Sequence, residues 1–193
     1  MSSNSIFLLI NIVFYFNHEQ HLSVNETAFH KIKFVKSLLR VITMSKISHE
    51  IVRANKENIP KLKEFLKSLD LVFEDIEEHI ENFLIIKKNS SIIGCSAVEN
   101  YEKVGLLRSV GVDPNYQGQG LGKLITNHSI GFAKDLGIKE LYLLTDTAKD
   151  FFKKFGFEVV SRETVDNQIK QTYEYRKGCP ETSNIMKKML QKR

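Results

Sequence analysis

The stretch that decides the fold lies in the middle of the chain and reads Val112-Asp113-Pro114-Asn115-Tyr116-Gln117-Gly118-Gln119-Gly120-Leu121-Gly122. Its closely spaced glycines let the backbone approach a ligand. An apolar run precedes the stretch, and apolar residues at helical spacing follow it. We therefore predict a strand-to-helix turn whose free N–H groups, together with the helix dipole, favour a pyrophosphate.

Two other phosphate-binding loops do not match this stretch. A nucleotide P-loop requires Gly-x4-Gly-Lys-Ser/Thr, but Gly118 is followed five residues later by Lys123, and Gly122-Lys123 is followed by Leu124. The dinucleotide fingerprint Gly-x-Gly-x-x-Gly, counted from Gly118, requires a third glycine where the chain has Lys123. The loop therefore belongs to another class.

The pattern around the loop predicts one mixed α/β domain. Asn58 is a predicted N-cap, His128 is placed on the apolar stripe of the long helix, Gly137 is predicted just past its end, and Thr147 with Asp150 is a candidate capping box. Polar residues 87–91 predict a hairpin turn. Predicted strands are 50–54, 83–86, 92–98, 106–112, 140–145, 157–160 and 185–190, and predicted helices are 62–69, 74–81, 121–136 and 151–155. Hairpins come early and strand-helix crossovers late.

Composition excludes several classes of protein. The 193 residues, 42% hydrophobic and 26% charged, suit a soluble globule with one sizeable core. Two cysteines cannot staple a secreted scaffold, and no Cys or His residues lie at zinc-finger spacing, so we predict a cytoplasmic, reducing compartment and no metal. A net charge of +5, dispersed along the chain, favours a small polyanion over nucleic acid.

The N-terminal part reads differently from the rest. Residues 6–16 are an apolar run of eleven, shorter than the ~20 residues that a membrane helix needs. Residues 1–5 lack the positive charge of a secretory signal, so the Asn25 sequon carries little weight. We predict that residues 1–43 are an extension, not part of the native product, and that the domain spans residues 44–193, starting at Met44. A membrane-associating leader and an additional packed segment are the alternatives.

Two motifs in order resemble one family. Gln117, Gly120 and Gly122 fit the pattern Gln/Arg-x-x-Gly-x-Gly/Ala, which resembles the acetyl-CoA-binding motif of the GCN5-related N-acetyltransferase (GNAT) superfamily. The segment Thr145 to Phe157 resembles the family's Asn-x-x-Ala-x-x-Phe-Tyr-x-x-x-Gly-Phe helix, with Thr145 and Phe152 in place of Asn and Tyr. The resemblance extends over about residues 51–190.

The resemblance implies a fold and a cofactor. It implies a single domain with helices on both faces of a mixed sheet, and a splayed pair of strands around an acetyl-CoA site. The backbone N–H of Val110 is expected to polarise the acetyl carbonyl, and the Gln117–Gly122 amides are expected to hold the pyrophosphate. The implied cofactor-binding residues are Val110, Gly111, Val112, Gln117, Gly118, Gln119, Gly120, Leu121, Gly122, Lys123, Thr145 and Phe152.

A narrower resemblance concerns the acceptor. Residues 106–110, 141–145, Gly156-Phe157 and Cys179-Pro180 look like the arsenic-resistance-type and, more distantly, the amino-acid N-acetyltransferases. This resemblance implies a small-molecule amine substrate, amino-acid-like or an organoarsenical, for a monomer or homodimer without nucleic-acid or membrane partners. Arg108 is predicted to bind a substrate carboxylate, with a structural salt bridge as the alternative.

The catalytic residues are less clear than the cofactor site. The family's usual general acid is a tyrosine where this chain has Phe152, and its usual glutamate base is replaced by Leu106. Glu99 is the candidate base, through a water, although a solvated strand charge is the alternative. Tyr101, Tyr116 and Thr145 are candidates for the missing hydroxyl. These departures leave a second hypothesis open, a catalytically weak or inactive acyl-CoA-binding module.

Overall fold

A computed structural model of the chain describes residues 49–180 and 182–191, and the predictions made for residues 1–43 and Met44 lie outside these residues. The strands are β1 (Glu50–Arg53), β2 (Phe83–Lys88), β3 (Ser91–Tyr101), β4 (Val104–Val112), β5 (Glu140–Thr145), β6 (Glu158–Val160) and β7 (Asn184–Met189). The α-helices are α1 (Ile59–Ser68), α2 (Ile76–His79), α3 (Leu121–Asp135), α4 (Lys149–Lys153) and α5 (Asn167–Lys170). A π-helix covers Glu174–Gly178.

The strands form one mixed sheet in the order β1-β2-β3-β4-β5-β7-β6. Neighbouring strands are antiparallel except β4 and β5, which are parallel and joined through α3. The predicted hairpin is confirmed, because β2 pairs with β3 around Asn89, whose φ is +56°. The α/β class predicted from the sequence is therefore correct.

Helices cover both faces of the sheet, as alternate residues of β2 show. Phe83 and Ile85 pack in a core with Leu62 and Leu66 of α1. Leu84 and Ile86 pack on the opposite face, in a core that contains Leu121 and Ile125 of α3. The period-2 side-chain alternation of a strand thus gives this central sheet two buried faces. Within the described residues, no helix is long and apolar enough to span a bilayer.

β4 contains a bulge close to the glycine-rich turn. Cys95 pairs with Gly111 and Ala97 with Arg108, so Ser109 and Val110 together face Ser96. Ser109 has φ +53°, a left-handed conformation that costs a non-glycine residue about 1–2 kcal/mol. The ladder between β4 and β5 ends at Leu106 and Tyr142, before the bulge, so that β4 no longer pairs with β5 from Leu107 onward. The two strands splay apart there.

Two local predictions were wrong. His128 is exposed, and the buried face of α3 carries Thr126 and Ser129 instead. Their hydroxyls donate to carbonyls one turn earlier, at 2.8 and 3.0 Å, which satisfies them inside the core. Thr147 does not cap α4; the Ala148 N–H donates to Oγ1 of Thr145 instead, at 3.1 Å.

Candidate functional site

The splayed strands border a cleft of about 770 Å³. Its walls come from β4 beyond Leu106, from the glycine-rich turn, from the end of β5 and the start of α4, and from residues 69–72. Gly178, Cys179 and Pro180 contribute one end, together with Glu174. A cleft between two diverging parallel strands has room for an extended ligand whose backbone partners are the free strand edges.

The glycine-rich turn has the geometry of an anion cradle. Gly118 and Gly120 have φ of +74° and +83°, and a Cβ at either position would meet no atom within 4 Å. Gly120 is the N-cap of α3 and no side chain caps the helix, so the first amides of α3 are left without a side-chain acceptor. Gln117 donates from Nε2 to the Val112 carbonyl at 3.0 Å, which ties the turn to the end of β4. The amides of this 15-residue helix are therefore available to an anion.

The structure brings together nearly all of the predicted cofactor residues. Eleven of the twelve line the cleft: Val110, Gly111, Val112, Gln117, Gly118, Gly120, Leu121, Gly122, Lys123, Thr145 and Phe152. Gln119 is not among the lining residues, and its Nε2 donates to the Asn115 carbonyl at 3.5 Å. Lys123 is exposed beside the turn. Cofactor binding by these residues stays a prediction, now with a defined cleft.

Phe152 and Thr145 stand on the cleft wall opposite β4. Phe152 is 6% exposed and makes edge-to-face contacts with Phe151 and Phe157, at ring distances of 5.1 and 6.0 Å. It supplies an apolar surface and no proton. Of the three hydroxyls considered as replacements, Thr145 lines the cleft, whereas Tyr101 and Tyr116 do not.

Arg108 lies at the centre of an ion-pair cluster. Its guanidinium makes two hydrogen bonds to Asp75, at 2.7 and 2.8 Å, and one to Glu99, at 2.5 Å. Its Nε lies 3.1 Å from Oε1 of Glu174. The Arg108 side chain is 2% exposed, so the geometry is that of the structural salt-bridge alternative. Binding of a substrate carboxylate by Arg108 stays a prediction, and it would require one of these three partners to give way.

Glu99, the candidate base, is further from the cleft than expected. It is 2% exposed, does not line the cleft, and accepts hydrogen bonds from Arg108 and from the Tyr101 hydroxyl, at 2.6 Å for the latter. Burial and the neighbouring Glu99 raise the pKa of Tyr101, which keeps that proton in place. The role of Glu99 as a base acting through water stays a prediction.

The sequence analysis missed a second carboxylate, Glu174. It lines the cleft with a side chain 9% exposed, and Cys179 Sγ donates to its Oε2 at 3.2 Å. Burial raises the pKa of Glu174 even though the charge of Arg108 opposes this. Burial and Glu174 raise the pKa of Cys179 to about 12, so its thiol stays protonated and acts as a donor, as expected for an inert cysteine.

The Asp75 end of the cluster offers metal-type ligands. Asp75, His79 and Glu99 present ligand atoms within 4.8 Å of one another. Arg108 already places a positive charge on Asp75 and Glu99. Burial raises the pKa of Asp75, but the hydrogen bonds and charge of Arg108 outweigh burial and hold that pKa below its usual value. The prediction that the protein uses no metal stays a prediction.

Comparison with known proteins gives a consistent family. A family model described as an acetyltransferase (GNAT) domain matches residues 79–159. An amino-acid acetyltransferase of Photorhabdus laumondii is 30% identical over 139 residues, which are 67% of this chain and 31% of the relative. An amino-acid acetyltransferase of Vibrio cholerae is 33% identical over 106 residues, which are 54% of this chain and 24% of the relative. The chain thus spans about a third or less of the length of these relatives.

Solved structures agree on the fold. An N-acetylglutamate synthase from Neisseria gonorrhoeae, complexed with coenzyme A and N-acetyl-glutamate, has a TM-score of 0.67 and 23% identity, covering 75% of this chain and 36% of the other. Rv2747 from Mycobacterium tuberculosis, in complex with CoA, has a TM-score of 0.62 and 20% identity, covering 74% and 99%. The family model thus identifies residues 79–159 as similar to a GNAT acetyltransferase domain. The chain is similar to amino-acid N-acetyltransferases, and its fold is the one that the solved structures share.

Proposed function

We propose that this protein is an N-acetyltransferase that moves an acetyl group from acetyl-CoA to the amine of a small, amino-acid-like molecule. The observation that carries the proposal is the cleft, in which the open edge of β4, the uncapped start of α3 and the predicted cofactor residues meet. The amino-acid acetyltransferases among the relatives support the same substrate class.

The proposed reaction is direct attack in a ternary complex. The α3 amides hold the pyrophosphate, and the pantetheine lies along the unpaired part of β4, ending near Val110. The Val110 N–H donates to the thioester oxygen, where one such donor contributes about 3–4 kcal/mol in the transition state. The site then orients both reactants, so that attack becomes effectively unimolecular.

Thiolate protonation needs no tyrosine in this proposal. Phe152 packs in an aromatic cluster with Phe151 and Phe157 and supplies only surface. A thiol with a pKa of about 8.5 is a fair leaving group and accepts its proton from water. Thr145, whose Oγ1 is held by the Ala148 N–H, is the hydroxyl positioned on the same wall. We therefore expect this enzyme to be slower than one that has a proton-donating tyrosine at position 152.

Turnover separates this proposal from the alternative of an inactive acyl-CoA-binding module, which Phe152 and Leu106 favour. Thiol release from acetyl-CoA is measured with the full chain and a panel of amines, including amino acids and organoarsenical amines. We expect release with at least one amino-acid-like amine and none without amine. Tight acetyl-CoA binding with no release for any amine would establish the binding-module alternative.

We also propose that the catalytic domain is complete from Met44 onward. Among the residues that the structure describes, those that line the cleft all lie between Leu69 and Pro180. A truncated chain that begins at Met44 is therefore expected to unfold cooperatively and to bind CoA within about twofold of the full chain. Calorimetric titration of both chains measures this, and loss of folding in the truncated chain would show that residues 1–43 are integral.

A further inference from the structure

We propose that Glu174 is the general base of this site, the group that takes the proton from the acceptor ammonium before the amine attacks the thioester. This inference rests on the proposed acetyl transfer and assigns one of its steps to a residue. The assignment begins from location, because Glu174 is a carboxylate that lines the cleft, whereas Glu99, which is buried in the same cluster, does not.

The Glu174 carboxylate has a charged group on one side and a hydrogen-bond donor on the other. Arg108 Nε lies 3.1 Å from Oε1, and Cys179 Sγ donates to Oε2 at 3.2 Å. Arg108 is itself held by Asp75 and Glu99, so it cannot swing away with the carboxylate. Arg108 thus pairs with Oε1 by charge, without a hydrogen bond from its Nε, and Cys179 orients Oε2 through a hydrogen bond, so the carboxylate is held beside the cleft as a base must be.

The backbone around Glu174 makes room for its side chain. Glu174 begins a π-helix, a rare element that occurs frequently at functional sites. A Cβ at Gly178, the last residue of the π-helix, would lie 3.1 Å from Oε2 of Glu174 and 2.9 Å from Val72 Cγ2. Glycine at 178 thus allows the carboxylate to lie against the backbone.

Charge in the cluster suits a cationic acceptor. One guanidinium faces three carboxylates, Asp75, Glu99 and Glu174, which leaves a formal charge of −2 beside the cleft. A negative excess attracts an ammonium group and stabilises it until it gives up a proton.

The proton balance of the step closes without another reactant. The ammonium R–NH3⁺ gives one proton to Glu174, and the resulting amine nitrogen forms a bond to the acetyl carbon. The C–S bond breaks and the thiolate leaves with the electron pair. The nitrogen loses its second proton to water, and water supplies the proton that the thiolate takes up. Glu174 then returns its proton to water, leaving the amide, the CoA thiol and one released proton.

Several titratable and charged groups face Glu174 and shape its pH response. Burial raises the pKa of Glu174, Arg108 and the Cys179 thiol lower it, and the charges of Glu99 and Asp75 raise it again. The Cys179 thiol stays protonated over the working range, since its pKa is about 12. His79 Nε2 lies 3.8 Å from Oε1 of Glu99 and 4.0 Å from Oδ2 of Asp75. The charge of Asp146 contributes to the raised pKa of Cys179. Because the base form is the deprotonated one, kcat/KM is expected to rise with pH as Glu174 ionises.

The test is the pH profile of kcat/KM for acetyl transfer by the full chain and its variants, with an acceptor amine that the wild type uses. Glu174→Gln is expected to lose about 10²–10⁴-fold in kcat/KM and the ascending acidic limb, since general base catalysis typically contributes that much. Glu174→Asp is expected to keep the ascending limb of the pH profile at a reduced rate, because the carboxylate is retained on a side chain that is one methylene shorter. The exposed Glu158→Gln is the matched control and is expected to behave as wild type.

The outcomes are distinct. Wild-type turnover together with a Glu174→Gln variant that keeps both its rate and its ascending limb would overturn the assignment of Glu174 and leave the acetyltransferase proposal intact. Absence of wild-type turnover would overturn both. If Glu174→Gln unfolds, Gly178→Ala supplies the readout, since its methyl displaces the same carboxylate; unchanged kcat and pH profile in Gly178→Ala would count against the assignment.

Discussion

Replacing Arg108 with methionine is expected to destabilise the protein by about 3–5 kcal/mol, because removing one member of a buried ion-pair cluster leaves the others uncompensated. Three carboxylates would then remain at one place with no guanidinium, and Asp75 would lose two hydrogen bonds. Folded domains are stable by only about 5–15 kcal/mol, so the loss is a large fraction of the total.

Urea unfolding of the full chain measures this loss. Arg108→Lys is expected to fall between wild type and Arg108→Met, because lysine keeps the charge but cannot make the paired hydrogen bonds to Asp75. The matched control is Arg176→Met, an exposed arginine of the π-helix, where a change within about 0.5 kcal/mol is expected. A loss below about 1 kcal/mol for Arg108→Met would mean that the cluster contributes little to the folded state.

The second large effect concerns the glycine-rich turn. Gly120→Ala is expected to weaken CoA binding by about ten- to a hundredfold, since its methyl enters the open space in front of the first α3 amides and hydrogen bonds to a charged group contribute about 1.5–3 kcal/mol each. The φ of +83° adds strain for any side chain. Calorimetric titration with CoA measures the affinity.

Two glycines distant from the turn, Gly131 and Gly137, provide control variants that separate backbone strain from ligand contact. Gly137 has φ +81° just past the end of α3 and open space around its Cβ position, so Gly137→Ala carries comparable strain away from the turn. Gly131 lies inside α3, where alanine is expected to stabilise the helix by up to about 1 kcal/mol. Both variants are expected to bind CoA as wild type does, and a loss of affinity in Gly137→Ala equal to that in Gly120→Ala would attribute the effect to folding.

The features that could be predicted from the sequence are those that depend on local patterns of residues. The glycine-rich turn has a fixed spacing, the α3 terminator is a glycine, and the β2–β3 hairpin has a polar turn, so each could be recognised without its surroundings. The splay of β4 from β5 was predicted from resemblance, and in the structure the ladder between them ends at Leu106, shortly before a bulge at Ser109 and Val110. No pattern in the neighbouring residues predicts that the backbone of Ser109 adopts a left-handed conformation.

The features that could not be predicted depend on residues far apart in the chain. Asp75 and Glu99 reach Arg108 across 33 and 9 positions, and Glu174 lies in a segment without a helical or strand period. A π-helix has no recognisable apolar spacing, so no pattern in the sequence marks Glu174 as buried. His128 was misplaced because Thr126 and Ser129 bury their hydroxyls by bonding to the preceding turn.

Calorimetric titration tests most directly whether the start of α3 binds the pyrophosphate of an acyl carrier. The full chain is titrated with CoA and, separately, with pantetheine, which shares the thiol arm of CoA but lacks the phosphates. CoA is expected to bind at least a hundredfold more tightly than pantetheine, and Gly120→Ala is expected to remove much of this difference. Equal affinity for the two compounds, or no binding of CoA, would contradict this expectation.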